Sequence, residues 1–151
     1  MNTTTHRAAP SADAFEWFDR VRQIVDTGAC VEFAPKGLSM WPTLRPATDR
    51  VTVGRRGTYR RGDMLLARCD SPRGIFLHRV VAVEPGGYVL MGDANTTQRE
   101  FVAGRDVAGA VVSISRSGNA KRPSRLAARL FLLPSPWRRC LVSLIKRTYR
   151  P

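Results

Sequence analysis

The sequence predicts a mainly β domain: a small coiled antiparallel sheet or partly open barrel, with an N-terminal helix and short basic C-terminal helices. Three observations predict this class. Short apolar runs follow one another through the middle of the chain. Clusters of Gly, Pro, Asp and Asn separate these runs, as is typical of all-β domains. Apolar residues recur at helical spacing only near the two ends, and 151 residues suffice for one domain with tails.

The first part of the chain is predicted to hold a polar tail and one helix. Residues 1–11 are expected to be disordered, because they are mostly polar. Asp13 can cap a helix that runs to about Thr27, and Gly28 ends it. The apolar residues at helical spacing in this stretch are Phe15, Phe18, Val21, Ile24 and Val25.

Six strands are predicted after this helix, and they account for the antiparallel sheet. They are Val31–Phe33, Arg50–Val53, Met64–Arg68, Phe76–Val83, Tyr88–Met91 and Val107–Ile114. The turn Pro85-Gly86-Gly87 lies between two valine-containing runs and predicts a hairpin. Short strands at this spacing favour a small sheet that coils on itself or closes partly into a barrel.

The C-terminal part is predicted to hold a polar linker, Ser117–Ser124, and two short helices, Arg125–Leu133 and Pro136–Arg147. The apolar residues that share one face of the second helix are Trp137, Leu141, Leu144 and Ile145. A basic helix of this kind can lie on an anionic membrane surface. Its stripe can instead pack on the sheet of its own domain, which is the usual fate of an apolar stripe. The predicted divisions are therefore residues 1–11, 12–116 and 117–151.

The net charge of +13 is unevenly distributed, since residues 116–151 carry 10 basic residues and no acidic one. This distribution indicates a basic C-terminal segment and not a basic domain, so no nucleic-acid partner is expected. Three widely spaced cysteines without a Cys/His cluster predict no metal site, and no cofactor is expected. The sequence has neither an apolar signal-peptide core nor a run near the ~20 residues of a membrane span. A cytoplasmic location is therefore expected.

Two residues are candidates for nucleophilic catalysis: Ser39, in a turn, and His78, inside an apolar run. A hydroxyl becomes a good nucleophile only when a nearby base can take its proton. Gly37 permits a positive φ before Ser39, and Pro42 stiffens the chain after it. Such a turn can present a hydroxyl and a backbone N–H together, as oxyanion binding requires. Either residue alone could equally be structural.

Five sequence blocks follow one another over roughly residues 33–114. They are Gly37-x-Ser39-Met40-x-Pro42-Thr43-Leu44, Asp49-Arg50-Val51-x-Val53, Arg61-Gly62-Asp63-Met64-Leu65, His78-Arg79-Val80-Val81 and Gly92-Asp93-Ala94-Asn95. In this order they resemble the signal peptidase I and LexA-like superfamily of serine peptidases. The resemblance implies the coiled sheet of that superfamily. It also implies a serine nucleophile with a lysine or histidine as general base.

Because His78 stands at the base position, the chain resembles the Ser–His branch, that of the endoplasmic-reticulum-type signal peptidases. An imidazole can accept the Ser39 proton near neutral pH. Arg79 is expected on the opposite face of the same strand. The resemblance suggests Asp93 as the acid that orients His78. Asp93 could instead be a turn residue that binds backbone N–H groups.

A second candidate for the acid is Glu100. In the Ser–His branch a further aspartate commonly lies about six residues after the Gly-Asp block, and here Arg99 holds that place beside Glu100. The resemblance also suggests Gly37, Met40 and Pro42 as oxyanion or substrate-binding residues. Signal peptidases often have a serine at the place of Gly37, so the oxyanion donor expected here is a backbone N–H. Met40 could equally belong to the core.

The resemblance, together with Ser39 and His78, predicts a serine endopeptidase that cuts a leader or signal-like peptide. It also implies an extended substrate with small residues near the cut. One alternative is a LexA-like self-cleaving regulator. Against it, only 38 residues precede Ser39 and they contain no Ala-Gly or Cys-Gly dipeptide. Further alternatives are a nucleic-acid-binding module that uses the basic tail and an inactive peptidase kept as a scaffold. Typical signal peptidases carry membrane spans, so the C-terminal segment is the candidate here for peripheral membrane contact.

Overall fold

The computed structural model describes residues 12–46, 48–71 and 73–148, so the expected tail at residues 1–11 lies outside the described residues. The described chain is mainly β. Its elements are α1 (Ala12–Asp26), β1 (Val31–Phe33), β2 (Asp49–Gly54), β3 (Met64–Asp70), β4 (Arg73–Glu84), β5 (Gly87–Met91), β6 (Glu100–Ala103), a 3-10 turn (Gly104–Asp106), β7 (Val107–Arg116), β8 (Asn119–Lys121), α2 (Arg125–Phe131) and α3 (Ser135–Thr148).

The strands found in the described part of the chain form one antiparallel sheet. Its order is β1-β2-β7-β3-β4-β5-β6, and the short β8 pairs with β7. One end of the sheet curls so that β6 comes close to β3. The Sγ of Cys69 on β3 lies 3.3 Å from the carbonyl oxygen of Phe101 on β6. The predictions of a mainly β chain, an antiparallel sheet, an N-terminal helix and short C-terminal helices are confirmed, and the sheet is open.

The helix and the six strands expected from the sequence are present, each within a few residues of its expected ends. Two strands, β6 and β8, were not expected. β8 follows the turn Ser117-Gly118, whose φ angles of 50° and 81° are those of a two-residue hairpin turn. The segment expected to be a linker, Ser117–Ser124, therefore extends the sheet through β8.

Two apolar cores lie on opposite sides of β3, because successive residues of a strand point to opposite faces. Met64 and Leu66 face the first core, together with Phe18, Val21 and Val25 of α1. The second core contains Leu65, Ala67, Phe76, Val80, Leu90 and Val102 and is enclosed by the curled half of the sheet. Burial on both faces explains why β3 is a continuous apolar run in the sequence.

An ion pair joins β2 to the end of β7. Asp49, which is 1% exposed, accepts hydrogen bonds from Nε of Arg116 at 2.7 Å and from a terminal nitrogen of the same residue at 2.6 Å. These bonds from Arg116 lower the pKa of Asp49 from 3.8 to about 2, against the opposing effect of burial. The pair joins the start of β2 to the end of β7, directly after the loop that carries Ser39.

The two C-terminal helices pack mainly against the loop before β3 and the turn after β5. Ala128 and Phe131 of α2 and Arg138 and Val142 of α3 are buried, and each is at most 6% exposed. Ser124 caps α2 by accepting a hydrogen bond from the backbone N–H of Ala127. Among the helices of the described residues, none is both long enough and apolar enough to cross a membrane.

Candidate active site

Ser39 lies in the loop between β1 and β2, and this loop is held by short local hydrogen bonds. The N–H of Trp41 binds the carbonyl of Leu38 at 3.0 Å, and the N–H of Leu44 binds that of Met40 at 2.9 Å. Gly37 has φ +80°, a left-handed conformation that favours glycine, as its position before Ser39 led us to expect. The buried side chains of Met40 and Leu44 anchor the loop in the first core.

The turn after β5 supports Ser39 from the other side. The N–H of Ala94 donates to the carbonyl oxygen of Ser39 at 2.9 Å. Gly92 approaches so closely that a Cβ there would lie 2.6 Å from the Ser39 carbonyl oxygen and 3.1 Å from the Ser39 Cβ. Only glycine fits at this position without moving the serine, which explains the glycine in the Gly92-Asp93-Ala94-Asn95 block.

Asp93 in the same turn is fully buried and binds Arg79. Nε and a terminal nitrogen of Arg79 donate to its two oxygens at 2.7 Å and 2.5 Å, and the Thr43 hydroxyl donates at 2.5 Å. Arg79 also donates to the carbonyl of Gly62 at 2.8 Å. Asp93 therefore ties the serine loop to β4 through a buried ion pair. Its partners are side chains, and it is not the carboxylate that contacts His78.

His78 contacts Glu100, the second acid that the sequence suggested. The Nδ1 of His78 lies 3.0 Å from Oε2 of Glu100, and both side chains are at most 1% exposed. Because a carboxylate accepts hydrogen bonds, this contact places the proton on Nδ1 and leaves the lone pair on Nε2. The Nε2 of His78 and Oε1 of Glu100 are buried without a hydrogen-bond partner among the described residues.

The strand alternation of β4 separates the neighbours of His78. His78 is on the side of Phe76 and the second core, and its ring centroid is 5.2 Å from that of Phe76. Arg79 makes its hydrogen bonds with a different set of residues, as the expected opposite orientation requires. Within the described part of the chain, no hydrogen bond joins Ser39 to His78.

The turn after β5 links the loop of Ser39 to β4, the strand that carries His78, through backbone contacts. Ser39 rests on the turn that starts at Gly92, and the preceding residue, Met91, pairs with Arg79 across the β4–β5 ladder. Arg79 directly follows His78. The two side chains have different neighbours, so a Ser39–His78 hydrogen bond would have to form when substrate binds.

A groove of about 560 Å³ opens beside Ser39. Its walls are mostly apolar and come from α1, the segment after β1, β3 and β4. The lining residues that matter here are Trp17, Phe33, Gly37, Ser39, Met40, Ile75 and Leu77. Leu77, and not His78, is the residue of that pair that lines the groove. Met40 belongs both to the groove and to the core, so the two expectations for it are not exclusive.

Pro42 lies elsewhere. It follows Trp41 through a cis peptide bond and lines a different cavity, together with Thr43, Arg79 and Arg116. Of the three expected oxyanion or substrate-binding residues, the groove therefore contains Gly37 and Met40 but not Pro42.

Arg138 of α3 is a component of this region that the sequence did not reveal. It is 3% exposed and donates to the carbonyls of Gly92 at 2.8 Å, Asn95 at 3.2 Å and Phe131. Burial lowers the pKa of Arg138 from its usual value. Arg138 thus attaches α3 to the turn that supports Ser39. In the sequence, nothing distinguishes it from the exposed Arg139 next to it.

Neither thiols nor metal-ligand clusters add to the site. In residues 12–46, 48–71 and 73–148, no three His, Cys, Asp or Glu side chains come together as a metal site. Cys30 and Cys140 are exposed free thiols, and Cys69 is a buried one. Burial raises the pKa of Cys69 above its usual value, which makes it a poor nucleophile.

No model of a known protein family matches the sequence, and no curated protein matches it significantly.

Proposed function

We propose that this chain is a serine endopeptidase of the signal peptidase I and LexA-like type, with Ser39 as nucleophile, His78 as general base and Glu100 as the acid that orients the base. The observation that carries the proposal is the buried contact between Nδ1 of His78 and Glu100, which leaves Nε2 unpartnered. A histidine held in this way by a carboxylate has the tautomer that a general base needs.

The surroundings of Ser39 support the role of nucleophile. Its loop is held on one side by the first core and on the other by Gly92 and Ala94. It lies at the wall of a groove large enough for substrate side chains. A nucleophile needs this combination of a fixed backbone and an accessible side chain.

The edge of β4 supports an extended peptide as substrate. Residues 73–78 pair with β3 on one side, whereas on the other side the β5 ladder begins only at Arg79. In the described part of the chain this stretch therefore has one edge without a strand partner. Ile75 and Leu77, whose side chains line the groove, belong to it. A peptide could pair with that edge as an added strand and place side chains in the groove.

In the proposed reaction, Oγ of Ser39 attacks the scissile carbonyl carbon while Nε2 of His78 takes the hydroxyl proton. The backbone N–H of Ser39 donates to the oxyanion. The C–N bond then breaks, and the leaving amine takes the proton from Nε2. Water then attacks the acyl-enzyme while Nε2 takes one of its protons. The ester bond breaks, and Nε2 gives that proton to Oγ of Ser39. Throughout, Glu100 accepts from Nδ1 and stabilises the imidazolium.

The test is cleavage of a peptide library, followed by mass spectrometry, with the wild type beside Ser39→Ala. Ser113→Ala, on β7 and outside the groove, is the matched control. We expect cuts by the wild type and the control that Ser39→Ala does not make. Cuts by all three variants would indicate a contaminating protease. No cuts by any form, with intact chains in every sample, would overturn the proposal. Self-cleavage would be visible as a loss of intact mass that Ser39→Ala prevents.

A further inference from the structure

The C-terminal helices have two different faces, and the inner one is already occupied. The guanidinium carbon of Arg79 lies over the ring of Phe131 in α2, 5.7 Å from the ring centroid. Arg138 of α3 donates a hydrogen bond to the carbonyl of Gly92 in the turn after β5. Val142, one turn further along α3, is 4% exposed. These contacts hold α2 and α3 in a fixed orientation on the domain.

The outer faces carry large apolar side chains that the domain does not cover. On α2 and the turn after it, Leu126 is 72% exposed, Leu130 47% and Leu133 40%. On α3, Trp137 is 69% exposed and Leu144 66%. Trp137 and Leu144 are two of the four residues expected to form the apolar stripe of α3, whereas the other two, Leu141 and Ile145, are half-buried. In the structure, Trp137 and Leu144 do not pack on the sheet, so the expectation that the stripe packs within its own domain is not met at these two positions.

The charges around this outer surface all have one sign. After Asp106 the sequence contains no acidic residue. Arg125, Arg129, Arg139 and Arg147 are exposed, and none of them has a salt-bridge partner among the residues that the structure describes. The outer faces of α2 and α3 therefore carry exposed apolar side chains together with arginines that have no salt-bridge partner among the described residues.

We infer that the outer face of α2 and α3 docks on an anionic lipid bilayer, with Trp137, Leu144 and the exposed leucines in the interface and the arginines at the lipid headgroups. Charge complementarity favours this occupant, because each basic residue near an anionic surface adds attraction and no carboxylate opposes it. Tryptophan suits the boundary between headgroups and acyl chains, since its ring is apolar and its N–H is polar. This inference does not depend on the proposed peptidase activity.

The test is sedimentation of the full chain with two kinds of vesicle. One is neutral and contains phosphatidylcholine alone, and the other is anionic and contains phosphatidylcholine with about 30% phosphatidylserine. The variant is Trp137→Ser with Leu144→Ser. The matched control is Ile24→Ser with Val83→Ser, which removes two exposed apolar side chains (45% and 56% exposed) outside α2 and α3. Circular dichroism establishes that both variants are folded. We expect the wild type and the control to bind the anionic vesicles and the variant to bind them at least tenfold more weakly.

Four results would overturn the inference. The first is absence of binding to anionic vesicles by the folded wild type. The second is equal weakening in the variant and in the control, which would indicate nonspecific adsorption. The third is that the chain binds a single-stranded RNA and does not bind vesicles. RNA binding that weakens steeply with salt would assign the arginines to nucleic acid. The fourth is that the wild type dimerises as its concentration rises and does not bind vesicles, whereas the variant stays monomeric. That result would assign the surface to a second copy of the chain.

Discussion

Replacing Glu100 with glutamine isolates the charge of the acid from its shape. Glutamine has nearly the same volume, and its amide oxygen can still accept a hydrogen bond from Nδ1 of His78. What the substitution removes is the negative charge that would stabilise the imidazolium formed during the reaction. The fold is expected to change little, because burying an amide costs less than burying a carboxylate.

The size of the effect follows from the distance between the two groups. In the structure Nδ1 of His78 is 3.0 Å from Oε2 of Glu100. At an effective dielectric constant of about 20, two unit charges at that separation attract by about 5.5 kcal/mol. Losing this attraction in the transition state corresponds to a decrease in kcat of about 10⁴-fold. We therefore expect Glu100→Gln to lower kcat by about three to four orders of magnitude and to change KM little.

Asp93→Asn is the matched comparison, because Asp93 is equally buried but contacts Arg79. Leaving Arg79 buried without its anion is expected to cost about 3–5 kcal/mol of folding free energy. The two variants should therefore differ in kind. Glu100→Gln should lose activity at nearly unchanged stability, and Asp93→Asn should lose stability.

The assay measures kcat on one peptide found in the library screen and the midpoint of thermal unfolding for each variant. Kinetics are measured at a temperature where both variants are folded. The reasoning is refuted if Glu100→Gln retains kcat within tenfold of the wild type. It is also refuted if Asp93→Asn keeps its unfolding midpoint and loses kcat, since Asp93 would then be the orienting acid.

Three further predictions concern stability, the serine loop and the thiols. The lowered pKa of Asp49 means that its arginine pair stabilises the fold above the ordinary pKa of 3.8 and is lost as the pH falls toward about 2. Urea unfolding should therefore show a loss of stability between about pH 5 and about pH 2 that Asp49→Asn lacks. The loss should be about 1 kcal/mol at most, because solvent screens the exposed arginine. Gly92→Ala should displace Ser39 and lower kcat about 100-fold, whereas Gly57→Ala, which has open space around it, should not. Cys69 should react with a thiol reagent more slowly than the two exposed cysteines, as peptide mapping after timed labelling would reveal, and equal rates would contradict its burial.

The secondary structure could largely be predicted because apolar periodicity and turn residues agree along most of the chain. Strand β3 is a continuous apolar run because both of its faces are buried. The β4–β5 hairpin is visible in the sequence because Gly86, with φ +82°, stands where the turn requires it. Ser39 and Gly37 were recognisable for a similar local reason.

The acid beside His78 could not be chosen from the sequence, because the choice depends on strand register. Leu90 pairs with Val80 on one side and with Glu100 on the other, which places Glu100 on the His78 side of the curled sheet. That pairing involves β6, a strand of four residues without a clear alternation of apolar and polar residues. Without β6, the resemblance ranks Asp93 before Glu100, and nothing in the sequence reverses that order.

The location of Arg138 was hidden for a different reason. Trp137, Arg138 and Arg139 are consecutive, and helical periodicity alone places both arginines off the apolar stripe. Which arginine becomes buried depends on how α3 docks against the Gly92 turn, a tertiary contact far apart in sequence. The same docking leaves Trp137 exposed.

The most direct test of the account compares kcat/KM for one peptide among the wild type, Ser39→Ala, His78→Ala and the double variant. Groups that act as one catalytic unit lose their effect together, so the double variant should be no slower than either single variant. We predict the same residual kcat/KM for all three variants, at least about 10³-fold below that of the wild type, as for other catalytic groups that act together. A His78→Ala variant that keeps activity within tenfold of the wild type, or a double variant in which the two losses multiply, would contradict the proposed catalytic pair.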